Sequence, residues 1–192
     1  MKQFLYTFIV FSSMSGFAQS VENLKILTKK IHDANYTMDF EAVAVLTYPK
    51  IYESTGKATF VEKLDGDYQN DAFRMRIQIE NPIFQYSEIK KIEGKTFCVI
   101  TYKNPIRYFY ENKMTPEMGQ QKAASLKEYS QVYETIYEPK RNSINVKRNT
   151  KLVAISDEIT ANQWRFINLD DDTQRQLANK LLNESIKKEL GL

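Results

Sequence analysis

The sequence predicts an α+β fold: N-terminal helices packed on an antiparallel sheet, an inserted mid-chain helix and a C-terminal helix. Three observations carry this. Through residues 21–36, Leu24, Leu27, Ile31 and Ala34 recur at helical spacing. From Phe73 the period becomes two, with Met75, Ile77 and Ile79 alternating against Arg74, Arg76 and Gln78, as in a sheet with one wet face. Helical spacing returns at Leu177, Leu181, Leu182, Ile186 and Leu190. Helices and strands thus segregate along the chain, which is the α+β pattern.

Each element has a local reason. Asp39 is placed to cap a short helix carrying Phe40, Val43 and Leu46, and Thr47-Tyr48-Pro49 stops it because a residue before proline avoids helical geometry. Pro49 opens a turn through Ile51 and Tyr52 that Gly56 closes. A helical piece at Phe60, Val61 and Leu64 then runs into an Asp65-Gly66-Asp67 turn. Residues 86–92 and 96–102 flank Glu93-Gly94-Lys95 as a hairpin, and the second strand, apolar on both faces, belongs in the middle of the sheet. Asn104-Pro105 turns the chain into a strand over 106–111. Thr115-Pro116-Glu117 starts a helix read as far as Tyr137, with Leu126, Tyr129, Val132, Tyr133 and Ile136 on one stripe. A polar hairpin over 143–146 and 151–155 turns at Lys147-Arg148-Asn149-Thr150, residues 164–167 form the last strand, and Asp170-Asp171-Asp172 lead into the closing helix.

The first residues speak to destination. Lys2, the apolar run from Phe4 to Phe11 and the small residues of Gly16-Phe17-Ala18 describe a secretory signal peptide over 1–18, cleaved after Ala18. No cysteine lies near the cleavage position, so a lipoprotein is not expected, and the periplasm is favoured over full secretion. Residues 19–192 then form a single domain. No later apolar run is long enough for a transmembrane segment. With 42% hydrophobic and 27% charged residues the chain is not of disordered composition. A net charge of +3 spread among 24 acidic residues argues against a nucleic-acid partner.

The residue types limit the chemistry. Cys98, the single cysteine, lies among strand formers and reads as a buried side chain, which leaves no internal disulfide. One histidine and one cysteine do not make a structural zinc site, and the Asp170–Asp172 run lacks calcium-loop spacing and reads as helix capping. No metal and no cofactor is expected; neither a phosphate-cradling glycine loop nor a G-x-S-x-G turn is present. His32 sits at the edge of the first helix's apolar stripe, partly exposed. Lys140, Arg141, Lys147, Arg148 and Lys151 make a basic segment, either a solvated hairpin or a surface for anionic lipid or polysaccharide.

Several stretches carry a resemblance. They are Asp39-Phe40-Glu41 followed by Thr47-Tyr48-Pro49-Lys50-Ile51-Tyr52-Glu53-Ser54-Thr55-Gly56, and Leu152-Val153-Ala154-Ile155-Ser156 followed by Gln163-Trp164-Arg165-Phe166-Ile167 and an amphipathic helix. With the signal ending Phe17-Ala18-Gln19, they resemble exported Bacteroidetes-type proteins similar to the nuclear transport factor 2-like (cystatin-like α+β) superfamily. The resemblance implies helices packed into a strongly curved sheet that makes a cone. It does not imply one activity, because that fold hosts isomerases, dehydratases, transport factors and domains of no known activity. Its enzymes set a carboxylate base opposite a phenol or protonated-acid donor inside the cone.

Here tyrosines abound, but no carboxylate stands alone in an apolar strand face, and no catalytic residue is assigned. The reading is an exported, non-catalytic binding module for a small apolar or envelope-derived ligand, with Tyr36, Tyr48, Tyr86, Tyr102 and Trp164 as ligand contacts. One alternative is an interaction subunit, a homodimer or part of an envelope complex, using Tyr129, Tyr133 and Tyr137. Another is an isomerase- or dehydratase-like enzyme with a tyrosine-lined cavity. A buried carboxylate facing a tyrosine hydroxyl in a closed cavity would favour the enzyme, and a cavity without ionisable groups the binder.

Overall fold

The computed structural model describes residues 21–129 and 131–192; the signal segment expected over 1–18 lies outside the described residues. The described elements are α1 (21–37), α2 (Phe40–Leu46), α3 (Lys57–Tyr68), β1 (Phe73–Ile77), β2 (Gln85–Tyr86), β3 (Lys90–Ile92), β4 (Lys95–Lys103) and β5 (Ile106–Tyr110). They continue with α4 (Pro116–Lys127), β6 (Val132–Glu138), β7 (Ser143–Ser156), β8 (Arg165–Asn168), α5 (Asp172–Leu181) and α6 (Glu184–Leu190).

β7 organises the antiparallel sheet. Its first half is flanked by β5 and β6, its second half by β4 and β8. β1 extends the sheet beyond β5, and β2 and β3 both pair with β4. β4 and β5 act as two arms of one strand bent at Asn104-Pro105: Thr96 lies opposite Ser156 and Phe109 opposite Ser143, with the register unbroken between. At the bend Asn104 donates its N–H to Arg148 O at 2.9 Å, next to a proline that has no N–H to give.

The curvature shows in which core each residue joins. Side chains alternate along a strand, so Ile144, Val146, Arg148, Thr150, Leu152 and Ala154 share one face of β7. Ile144 and Val146 join the main core with Phe60 and Leu64 of α3, whereas Leu152 and Ala154 join a second core with Leu24 and Ile31 of α1, Trp164 and Phe166. One pleated face thus serves two cores, with Arg148 and Thr150 between them. On the other face of the second half, Val153 and Ile155 join the main core, as do Ala178 and Leu182 of the α5 end and Ile186 and Leu190 of α6.

Much of the expected pattern is present: the α+β layout, Asp39 capping α2 through Ala42 N at 3.0 Å, and the β3–β4 hairpin, whose Glu93 and Gly94 both have positive φ. β4 sits between β7 and the β2 and β3 strands, and Cys98 is buried and free.

Several expectations need correction. The mid-chain helix ends at Lys127, and Val132–Glu138 is strand β6, so Tyr129, Tyr133 and Tyr137 do not share a helical stripe. Val132, Tyr133, Thr135, Ile136 and Tyr137 are strand-favouring residues, and β7 supplies the ladder they need. The expected hairpin at Lys147–Thr150 is instead the middle of β7, because ladder partners on β4 and β6 hold it extended. α3 runs through Asp65-Gly66-Asp67, since Phe60, Leu64 and Tyr68 anchor the helix on either side of the glycine. Gly56, at φ 85°, precedes α3 as its N-cap. The closing helix is two helices, because Asn183 breaks the run and caps α6 by accepting from Ile186 N at 2.9 Å. His32 is buried, packed edge-on against Phe84 and Tyr102.

Candidate functional site

Bending the sheet leaves a concavity over the first half of β7. A cavity of about 500 Å³ opens there, within the size range of small-molecule sites. Its floor is strand surface: Met75 of β1, Ile106 and Tyr108 of β5, Val146 and Arg148 of β7. Leu64 and Tyr68 of α3 form one wall, Leu126 of α4 and Tyr129 just after it another, and the segment from Asn168 into α5 a third. Met75, Ile106 and Val146 make much of the floor apolar because these positions lie on the inward pleat, and Arg148 is the charge set among them. The rim is polar because it is made of helix ends and a connection.

The charges of the lining match one another. Lys63, Lys122, Arg148 and Arg175 line the cavity with Asp67, Asp170, Asp171 and Asp172. Lys63 lies across the rim between Asp67 and Asp171, at 2.5 and 2.7 Å, and joins α3 to the start of α5. Burial works against its charge, but hydrogen bonds to Asp171 and Asp67 outweigh that and raise its pKa. Arg175 pairs with Asp172. Arg148 Nε lies 3.7 Å from Asp170 Oδ2, an ion pair with both side chains mostly buried.

Asp170 is the most deeply buried of these carboxylates and its oxygens are engaged. Oδ2 accepts from Thr150 Oγ1 at 2.6 Å, and Oδ1 accepts from Lys151 N at 3.3 Å. Of the Asp170–Asp172 run, only Asp171 caps α5, accepting from Gln174 N at 2.7 Å. The phenols of Tyr68, Tyr108 and Tyr110 stay protonated. Burial raises Tyr68 and Tyr108, and pushes Tyr110 up to about 12. Tyr68 already donates to Asn35 Oδ1 at 3.0 Å.

The tyrosines singled out from sequence are dispersed. Tyr102 is buried and lines a smaller space behind the main cavity. Tyr48 is buried and donates to Asp157 Oδ2 at 2.8 Å, tying the start of the Pro49 turn to the loop after β7. Tyr86 and Trp164 pack in the second core, and Tyr36 stands partly exposed beside His32. None of these five lines the main cavity. Tyr129 is exposed at the cavity rim, Tyr133 is exposed on β6, and Tyr137 is half-buried, donating to Met114 O at 3.1 Å.

Sequence reasoning missed Arg148, Asp170, Tyr68 and Lys63. The pleat parity of Ile144, Val146 and Arg148 is the signal that places the arginine inside, once β7 is read as one strand. The basic segment dissolves in the same way: Lys147 pairs with Glu134 and Arg141 with Glu138, while Arg148 faces the cavity. Among the described residues, no group of three or more His, Cys, Asp or Glu is disposed to hold a metal ion, and no helix is long and apolar enough to cross a membrane. No family model matches the chain, and no curated protein matches it.

Proposed function

We propose that this chain is an exported binding module of nuclear transport factor 2-like architecture that holds a small, largely apolar molecule in its cavity. The observation that carries the reading is the cavity itself: about 500 Å³, floored by Met75, Ile106 and Val146, with Lys63, Arg148 and Arg175 paired to carboxylates around it. Apolar floor supplies affinity, and a few fixed polar groups supply orientation. Asp170 suits a holding role more than proton transfer, because Thr150, Lys151 and Arg148 already occupy its surroundings.

Native mass spectrometry of the mature protein, purified from its own host, tests this. The expected result is a reproducible extra mass that disappears in Val132→Trp, a substitution on β6 at a position that lines the cavity, while the far-ultraviolet spectrum stays unchanged. Bare protein at every preparation would count against the reading.

A second reading has its own observation. β6 pairs only with β7 among the described strands, and it exposes Tyr133 and Ile136. An open edge with exposed apolar side chains can take a partner strand. Light scattering across a concentration series, with and without Tyr133→Lys, would reveal such a dimer.

A further inference from the structure

Arg148 stands in the middle of β7 and lines the main cavity. Its side chain is 18% exposed, so most of it has left water. Yet its guanidinium makes no hydrogen bond among the described residues. Asp170 is the neighbouring carboxylate, but Arg148 Nε stops 3.7 Å from Oδ2, beyond hydrogen-bond reach. The Asp170 oxygens accept from Thr150 and Lys151 instead. The pair therefore balances part of the arginine's charge without using its donors. Burying a charged group with its donors unmet is costly.

The two ends of the guanidinium differ in what reaches them. Nε is fully covered. The terminal nitrogens are as unpartnered as Nε but are not covered, so they keep accessible surface. The neighbours of Arg148 set the side on which that surface lies. Val132, opposite it on β6, and Val146, two residues back along β7, both line the main cavity. The open end of the guanidinium fork is thereby directed into the large cavity and reached through that cavity's own mouth.

The other unspent polar groups of the lining are donors too. The Tyr108 hydroxyl is neither hydrogen-bonded nor covered, and burial keeps it protonated. Lys122 of α4 is in no ion pair among the described residues. The carboxylates are already engaged: Asp67 and Asp171 with Lys63, Asp172 with Arg175, Asp170 with Thr150 and Lys151. What the cavity lacks is an acceptor. A carboxylate matches the planar fork through two parallel N–H···O bonds. A phosphate dianion would set its second charge among four aspartates, and an ammonium would add a donor where donors are in excess.

Deepening the binding reading above, on which it rests, we propose that Arg148 is a carboxylate site and that the ligand class is a monocarboxylate with an apolar body. The carboxylate pairs with the terminal nitrogens of Arg148, and the body lies over Val146, Ile106 and Met75. Val146 is the next inward residue of β7, about 7 Å from Arg148 along the strand, and Ile106 lies opposite it on β5. Head and body are thus served by adjacent rows of one pleated surface.

The test is calorimetric titration of the mature protein near neutral pH with octanoate, octan-1-ol and octylammonium, which share a chain length and differ in the head. Octanoate is expected to bind about tenfold or more tighter than octan-1-ol, with octylammonium weaker than both. Arg148→Met keeps the stem and removes the fork. It should bring octanoate down to the affinity of the alcohol and leave the alcohol nearly unchanged. Arg148→Lys keeps a charge beside Asp170 and should recover only part of the preference, because an ammonium does not make the two parallel bonds. The wild-type comparison stands even if both variants fold poorly.

Equal binding of octanoate and octan-1-ol by the wild-type protein, as expected for a fork that keeps its own water, would overturn the carboxylate site. So would a preference for octylammonium, or an octanoate preference that survives in folded Arg148→Met. In these cases the binding reading stands. If none of the three binds, the apolar-ligand reading fails together with the carboxylate site.

Discussion

At His32, burial beneath Phe84 and Tyr102 works against a charged ring. Its Nε2 lies 3.2 Å from Ile79 O, Nδ1 has no partner, and its pKa is lowered below 6.5. Burial is the main cause; the Ile79 carbonyl and Asp33 oppose it, while Lys29 adds to it. Below pH 6.5 the unfolded chain gains a proton that the folded chain refuses, so stability falls with pH until the folded pKa is passed. Urea midpoints measured from pH 7.5 to 5.5 should therefore decline, and the decline should shrink in His32→Leu. Tyr48 is the other informative residue. Burial, then the hydrogen bond to Asp157, raises its phenol well above the usual tyrosine range. Tyr48→Phe leaves a buried carboxylate oxygen without that donor and should cost about 1–3 kcal/mol in denaturant titration.

Among the elements, α4 is seated on β6 with no space to spare. A Cβ at Gly119 would lie 2.3 Å from the Tyr137 ring. Alanine improves helix propensity by about 1 kcal/mol, but the overlap should outweigh it, for a net loss of about 1–3 kcal/mol. A double-mutant cycle of Gly119→Ala with Tyr137→Leu should recover most of that loss. The same element shows what could be read from sequence and what could not. Asp39, Thr115 and the Glu93-Gly94 turn were legible because their signals are local: a side chain capping its own helix, a dipeptide accepting positive φ. β6 was not, since Val132 to Tyr137 fits a helical spacing as well as an alternation, and only the neighbouring strand decides. The 14 residues of β7 likewise mimic a hairpin while their partners, up to 60 residues away (Thr96 opposite Ser156), are out of view. The cavity inherits this: Arg148 and Asp170 meet only through that strand's pleat.

For the whole molecule, β7 makes the two cores depend on each other. Trp164, the single tryptophan, sits in the second core, so its fluorescence reports a core that Ile144 does not join. Ile144→Ala, a fully buried truncation in the main core, should cost about 2–5 kcal/mol. Trp164 fluorescence and far-ultraviolet circular dichroism should shift to the same lower midpoint, as in a two-state transition. Separate midpoints would show the two halves of the sheet melting independently.

The unbroken register from Thr96 to Phe109 also bears on how this chain can change in length. Side chains alternate, so deleting one residue inside that run would exchange its two faces from that point on. At the bend the same deletion would separate Asn104 from Arg148. Insertions and deletions should therefore be excluded from β4, the Asn104-Pro105 bend and β5. They should instead gather in surface connections such as the one around the exposed Ile83. Among divergent descendants of this sequence, the arms of the ladder would keep their length while the loops between elements drift.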